Sequence, residues 1–63
     1  MRKDLVKIRK QRGISQKQMA EAIGITPTAL CRFEKGQSDM KVKHLFAYID
    51  ELDYEFRLLL KNN

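Results

Sequence analysis

The chain has 63 residues, room for one domain (1–63) whose core is too small to be stable by a wide margin without help. Thirteen Lys and Arg against eight Asp and Glu leave a net charge of +5, which favours a polyanionic partner such as nucleic acid. The lone Cys31 excludes an internal disulfide, and one Cys with one His excludes a structural zinc site; no apolar run approaches the ~20 residues of a membrane span, and the basic start leads into an amphipathic segment unlike a signal peptide.

These features predict a cytoplasmic chain without metal, cofactor or membrane partner, supported by self-association. The positive charge is uneven. Arg2, Lys3, Lys7, Arg9, Lys10, Arg12 and Lys17 crowd the first third, whereas Asp50, Glu51, Asp53 and Glu55 gather near the end.

Leu5 and Ile8 recur at helical spacing between Asp4 and Arg12, and Gly13 stops the run, predicting a first helix. Ser15 with Gln18 three residues later is a capping box, and Met19, Ala20 and Ile23 form the inner face of a second helix that Gly24 reverses. Thr26 caps a third helix, Pro27 takes its first turn, Leu30 and Phe33 face inward, and Gly36 ends it. Ser38 or Asp39 can cap a fourth helix with the inner stripe Val42, Leu45, Phe46, Ile49 and Leu52.

After Asp53 the rhythm changes. Tyr54, Phe56, Leu58 and Leu60 alternate with Glu55, Arg57, Leu59 and Lys61, a period of two that predicts a strand. The run Leu58-Leu59-Leu60 leaves a short helix as the alternative, and Lys61-Asn62-Asn63 make a polar end.

Two short helices across a tight turn at 15–36 form a helix-turn-helix. With Leu30 and Phe33 turned inward, Thr28, Ala29, Cys31, Arg32 and Lys35 face out, small residues early and long cations later. Such a helix suits a major groove about 12 Å wide, where its backbone approaches the bases and its donors meet their edges. A helical hairpin in a small bundle would have no need of this basic outer face.

The residues Ile8-Arg9, Gly13-Ile14-Ser15-Gln16, Met19-Ala20, Ile23-Gly24-Ile25-Thr26, Leu30 and Arg32-Phe33-Glu34-Lys35-Gly36 resemble the XRE family of helix-turn-helix regulators, the phage-repressor and Cro-like fold. The likeness covers residues 5–52. It implies a mostly α, lambda-repressor-like four-helix domain with a C-terminal β-strand (or short helix) used for dimerisation. Leu45-Phe46, Ile49, Leu52-Asp53-Tyr54 and the tail resemble the HipB-like antitoxin branch, which implies a homodimer, repression of its own operon and a toxin partner.

Carried over by position, the resemblance makes Gln16 a phosphate contact, with Lys17 beside it at the positive start of the second helix. It places Thr26, Pro27, Thr28, Cys31 and Arg32 against operator DNA, Arg32 as the candidate for bidentate guanine readout, and Ser38, Lys41 and Lys43 on the sugar-phosphate backbone; Lys35, on the same outward face, is expected to join the DNA contacts. Arg9 and Glu34 match a structural ion pair. Pro27 departs from the polar residue many relatives carry, Met40 lacks the proline common before the fourth helix, and Asp53 replaces the glycine common after it.

The dimer interface is expected at 54–61, through Tyr54, Phe56, Leu58, Leu59 and Leu60, which are too apolar to leave open. The same tail carries an alternative reading, a protein-interaction module that neutralises a toxin with DNA binding secondary. Nothing resembles a nucleophile–base set, paired catalytic carboxylates or a phosphate-cradling glycine loop, so no enzymatic activity is expected.

Overall fold

The computed structural model describes residues 1–61; the predicted polar end at Asn62 and Asn63 lies outside them. Four helices follow in order: α1 (Arg2–Gln11), α2 (Gln16–Ile23), α3 (Pro27–Glu34) and α4 (Val42–Lys61). The first helix thus begins two residues earlier than its apolar pattern suggests. Arg12 becomes its C-cap, and Gly13 follows with φ +72°.

The capping signals act where they stand. Ser15 Oγ accepts from the Gln18 N–H at 3.0 Å, and Gln18 Oε1 accepts from the Ser15 N–H at 2.9 Å. Gly24 takes the left-handed conformation (φ 82°, ψ 29°), and its N–H and that of Ile25 both donate to the Ala20 carbonyl. Thr26 Oγ1 accepts from the Ala29 N–H at 3.1 Å, with Pro27 at the first helical position where no donor is needed.

α2 is the central element, packed on both α3 and α4, with Met19 and Ala20 fully buried. Leu5 and Ile14 close the core from the α1 side, Leu30 and Phe33 from α3, and Tyr48 and Leu52 from α4. A large-to-alanine change at Leu30, which has no exposed surface, would cost about 2–5 kcal/mol.

The fourth helix departs from the sequence expectations in three ways. Neither Ser38 nor Asp39 caps it; the helix begins at Val42, and the Lys41 carbonyl accepts its first bonds, from His44 and Leu45. Its inner face is Leu45, Tyr48 and Leu52, while Val42, Phe46 and Ile49 are exposed. Tyr48 displaces Phe46 because its hydroxyl finds a partner inside, as described below.

The third departure is the tail. Residues 54–61 are not a strand: α4 runs unbroken to Lys61. No glycine or proline stands beyond Gly36, so nothing interrupts the helical ladder. Asp53 forms an i,i+4 ion pair with Arg57 at 3.0 Å and continues the helix. Arg12 supports this stretch from α1, donating to the Leu52 carbonyl and stacking its guanidinium 4.6 Å from the Phe56 ring centroid. At 20 residues α4 is about 30 Å long, which accounts for the 37 × 20 × 18 Å envelope.

Candidate nucleic-acid interface

The interface starts from a buried carboxylate. Glu34, the last residue of α3, accepts from Arg9 Nε on Oε2 and from an Arg9 terminal nitrogen on Oε1, both at 2.8 Å. Tyr48 Oη donates to the same Oε2 at 2.8 Å, and Gln16 Nε2 donates to Oε1 at 2.9 Å. Arg9 also donates to the Ile14 carbonyl at 2.7 Å. One carboxylate therefore ties α1, α2 and α4 to the C-terminal end of α3, with side chains that are only 5% and 4% exposed at Arg9 and Glu34.

Burial alone would push these groups toward their neutral forms, yet the mutual hydrogen bonds and charge win for both ions. Glu34 is held below the usual carboxylate range by donation from Arg9, Gln16 and Tyr48, and Arg9 is held above its ordinary value by Glu34. Burial, then the hydrogen bond to Glu34 and its charge, push the Tyr48 hydroxyl well up.

With its end pinned this way and Leu30 and Phe33 seated in the core, α3 can present only its far side to solvent. Thr26, Pro27, Thr28, Arg32 and Lys35 are exposed there, and Cys31 is half-buried at the edge. Thr28, Arg32 and Lys35 follow one another at gaps of four and three residues, one face of the helix. Ser38 in the connecting loop, Lys41 beside it and Lys43 in the first turn of α4 are exposed as well. Among the described residues none of Arg32, Lys35, Lys41 and Lys43 enters an ion pair, so their charges remain available to an anion.

The start of α2 adds a second anchor. Its capping box uses the N–H groups of Ser15 and Gln18, leaving those of Gln16 and Lys17 without a partner among the described residues. The Gln16 side chain, expected on a phosphate, spends one N–H on Glu34, which orients the second one and joins the anchor rigidly to α3. Lys17 is exposed beside it.

Sequence reasoning paired Arg9 with Glu34 but missed Tyr48 as the third donor to the carboxylate and Gln16 as the fourth link. The signal for Tyr48 was present: it lies three residues after Leu45 and four before Leu52. The expected interface residues Tyr54, Phe56, Leu58, Leu59 and Leu60 are all exposed, but on a helix they do not share a side. Tyr54 and Leu58 lie on one flank, and Phe56, Leu59 and Leu60 on another.

The family model described as Helix-turn-helix (HTH_3) matches residues 5–59, nearly the whole described chain. The chain belongs to the XRE-type helix-turn-helix family. No curated protein and no solved structure matches it. As an XRE-type domain it is a DNA-binding regulator, and α2 and α3 with the turn between them are the helix-turn-helix pair. No helix among the described residues is long and apolar enough to cross a membrane.

Proposed function

We propose that the chain is a sequence-specific repressor that binds operator DNA as a homodimer, not an enzyme, and acts in the cytoplasm. The observation that carries this reading is the outward face of α3, with Thr28 and Arg32 held opposite the buried Leu30 and Phe33. Arg32 is the base-reading residue, bidentate to guanine O6 and N7, a contact worth about 1–3 kcal/mol of discrimination. Pro27 offers apolar contact, suited to a thymine methyl. Gln16, Lys17, Lys41 and Lys43 hold phosphates, and two copies span half-sites about 34–36 Å apart.

Selection from a random duplex pool supplies the operator, and salt-titrated gel shifts then test the roles. Arg32→Ala should weaken selected DNA far more than random DNA. Lys41→Ala or Lys43→Ala should weaken both alike and reduce the salt slope by about one unit each. Equal losses on both DNAs for the Arg32 variant would remove base readout from that residue.

A second reading, an antitoxin that also neutralises a partner toxin, is favoured by the exposed Tyr54 and Leu58 on one flank of α4. Absence of any duplex binding at low salt would favour a pure interaction module over the repressor.

A further inference from the structure

A cleft of about 520 Å³ opens between the start of α1 and the end of α3. Arg2, Lys3 and Asp4 line one wall, and Glu34, Lys35 and Gly36 the other. Three of these side chains are cations, and the Glu34 charge is already taken by Arg9. Lys3 and Lys35 enter no ion pair among the described residues. Asp4 is the remaining acid on the walls, with its side chain 83% exposed.

Arg2 is the unsatisfied member. Its guanidinium lies 5.0 Å from the Phe33 ring centroid and close against Gly36, where a Cβ would stand 3.4 Å from Nη1. That fit leaves Nε buried without a hydrogen-bond partner, the one such buried side-chain atom among the described residues. Asp39 reaches to 3.7 Å from Nη2, an ion-pair distance too long for a hydrogen bond. The guanidinium has thus given up water with none of its five donors bonded among the described residues. A planar fork in this condition suits a phosphate, which accepts from two donors at once. Met1 supplies no side-chain cap, so Lys3 and Asp4 add free N–H groups at the positive end of α1.

We propose that this cleft binds a phosphate group, held by the Arg2 fork with Lys3 and Lys35 beside it. Lys35 also continues the outward line of Thr28 and Arg32, so the cleft adjoins the face offered to DNA. A backbone phosphodiester beyond the end of α3 and a free phosphate would meet the same donors. The duplex source rests on the regulator reading above; the free source does not.

Inorganic phosphate, titrated into the full chain against chloride at constant ionic strength, probes the site itself. The NMR signals of the Arg2 Nε–H and the Gly36 amide should shift and saturate. Lys3→Ala should weaken binding about twofold and Asp4→Asn strengthen it by a similar factor, the scale of one unit charge acting through water. Salt-titrated gel shifts on duplex DNA then separate the sources. Arg2→Gln and Lys3→Ala should each reduce the salt slope by about one unit and leave the ratio of selected to random DNA unchanged. Arg2→Lys, which keeps the charge, should keep the slope. Circular dichroism checks that the Arg2 variants retain their helices, because Arg2 also packs on Phe33.

Reduced slopes assign the cleft to the DNA backbone. Saturating phosphate shifts with unchanged slopes assign it to a free phosphate. Unmoved or non-saturating signals together with unchanged slopes overturn the site and leave the regulator standing. A wild-type chain that binds no duplex overturns the regulator reading, and the phosphate titration alone then decides the cleft.

Discussion

Replacing Glu34 with Gln keeps the shape of the side chain and removes its charge, which isolates what the buried carboxylate does. Arg9 would then hold a guanidinium almost without solvent contact and without a counter-ion, and the new amide N–H₂ would face donors on at least one side. Breaking a buried pair in this way costs about 3–5 kcal/mol. A chain of this length has a total of about 3–9 kcal/mol, so Glu34→Gln should remove between about a third and all of the stability. Tyr48→Phe preserves the packing of the ring and deletes one hydrogen bond to a charged acceptor, an expected loss of about 1.5–3 kcal/mol. At roughly 4–8 °C per kcal/mol for a domain of this size, that is a drop in Tm of more than 5 °C or so. Urea melts of the wild type, both single variants and the double variant complete the cycle. Tyr48→Phe should cost at least about 1 kcal/mol less when combined with Glu34→Gln, since the charge its hydroxyl served is gone. A coupling below about 0.5 kcal/mol would refute the idea that the Tyr48 hydroxyl stabilises α3 through Glu34.

The same network sets the acid and alkaline limbs of stability. Glu34 has a folded pKa below its unfolded value of about 4.3, so its contribution is complete above that pH and is lost as pH falls through the folded value; the Glu34→Gln variant should lack this acid dependence. Tyr48 has a folded pKa above its unfolded value of about 10, so its contribution is complete below pH ~10 and disappears as pH rises through the folded value, a limb the Tyr48→Phe variant should not show in denaturant melts. Glu51, raised by burial and by Glu55, opposes folding when charged, so Glu51→Gln should stabilise at neutral pH and have no effect well below pH 4.3 or so. Gly24→Ala meets no atom within 4 Å, so its cost is the left-handed backbone alone, about 1–2 kcal/mol in thermal melts, with Gly24→Asn milder; no loss would mean that the turn between α2 and α3 relaxes at no cost.

What the sequence determined by itself is the helix-turn-helix. Ser15 with Gln18, Gly24, and Thr26 with Pro27 mark helix ends through contacts of four residues or fewer, so the signal and the structure it makes are in the same short window. The direction of α3 was legible for a related reason: Leu30 and Phe33 are the apolar residues of an otherwise polar or small segment, and burying them turns Thr28 and Arg32 outward.

α4 was decided by tertiary contacts. Its sequence offers more apolar residues than one core can cover, and periodicity cannot say which of two adjacent lines faces home. The answer came from the carboxylate of Glu34, which makes a tyrosine at position 48 worth burying while Phe46 and Ile49 stay outside. Likewise Tyr54 to Leu60 fit both a two-residue alternation and a helical face; Arg12, reaching across from α1 to the Leu52 carbonyl and the Phe56 ring, holds the helical one.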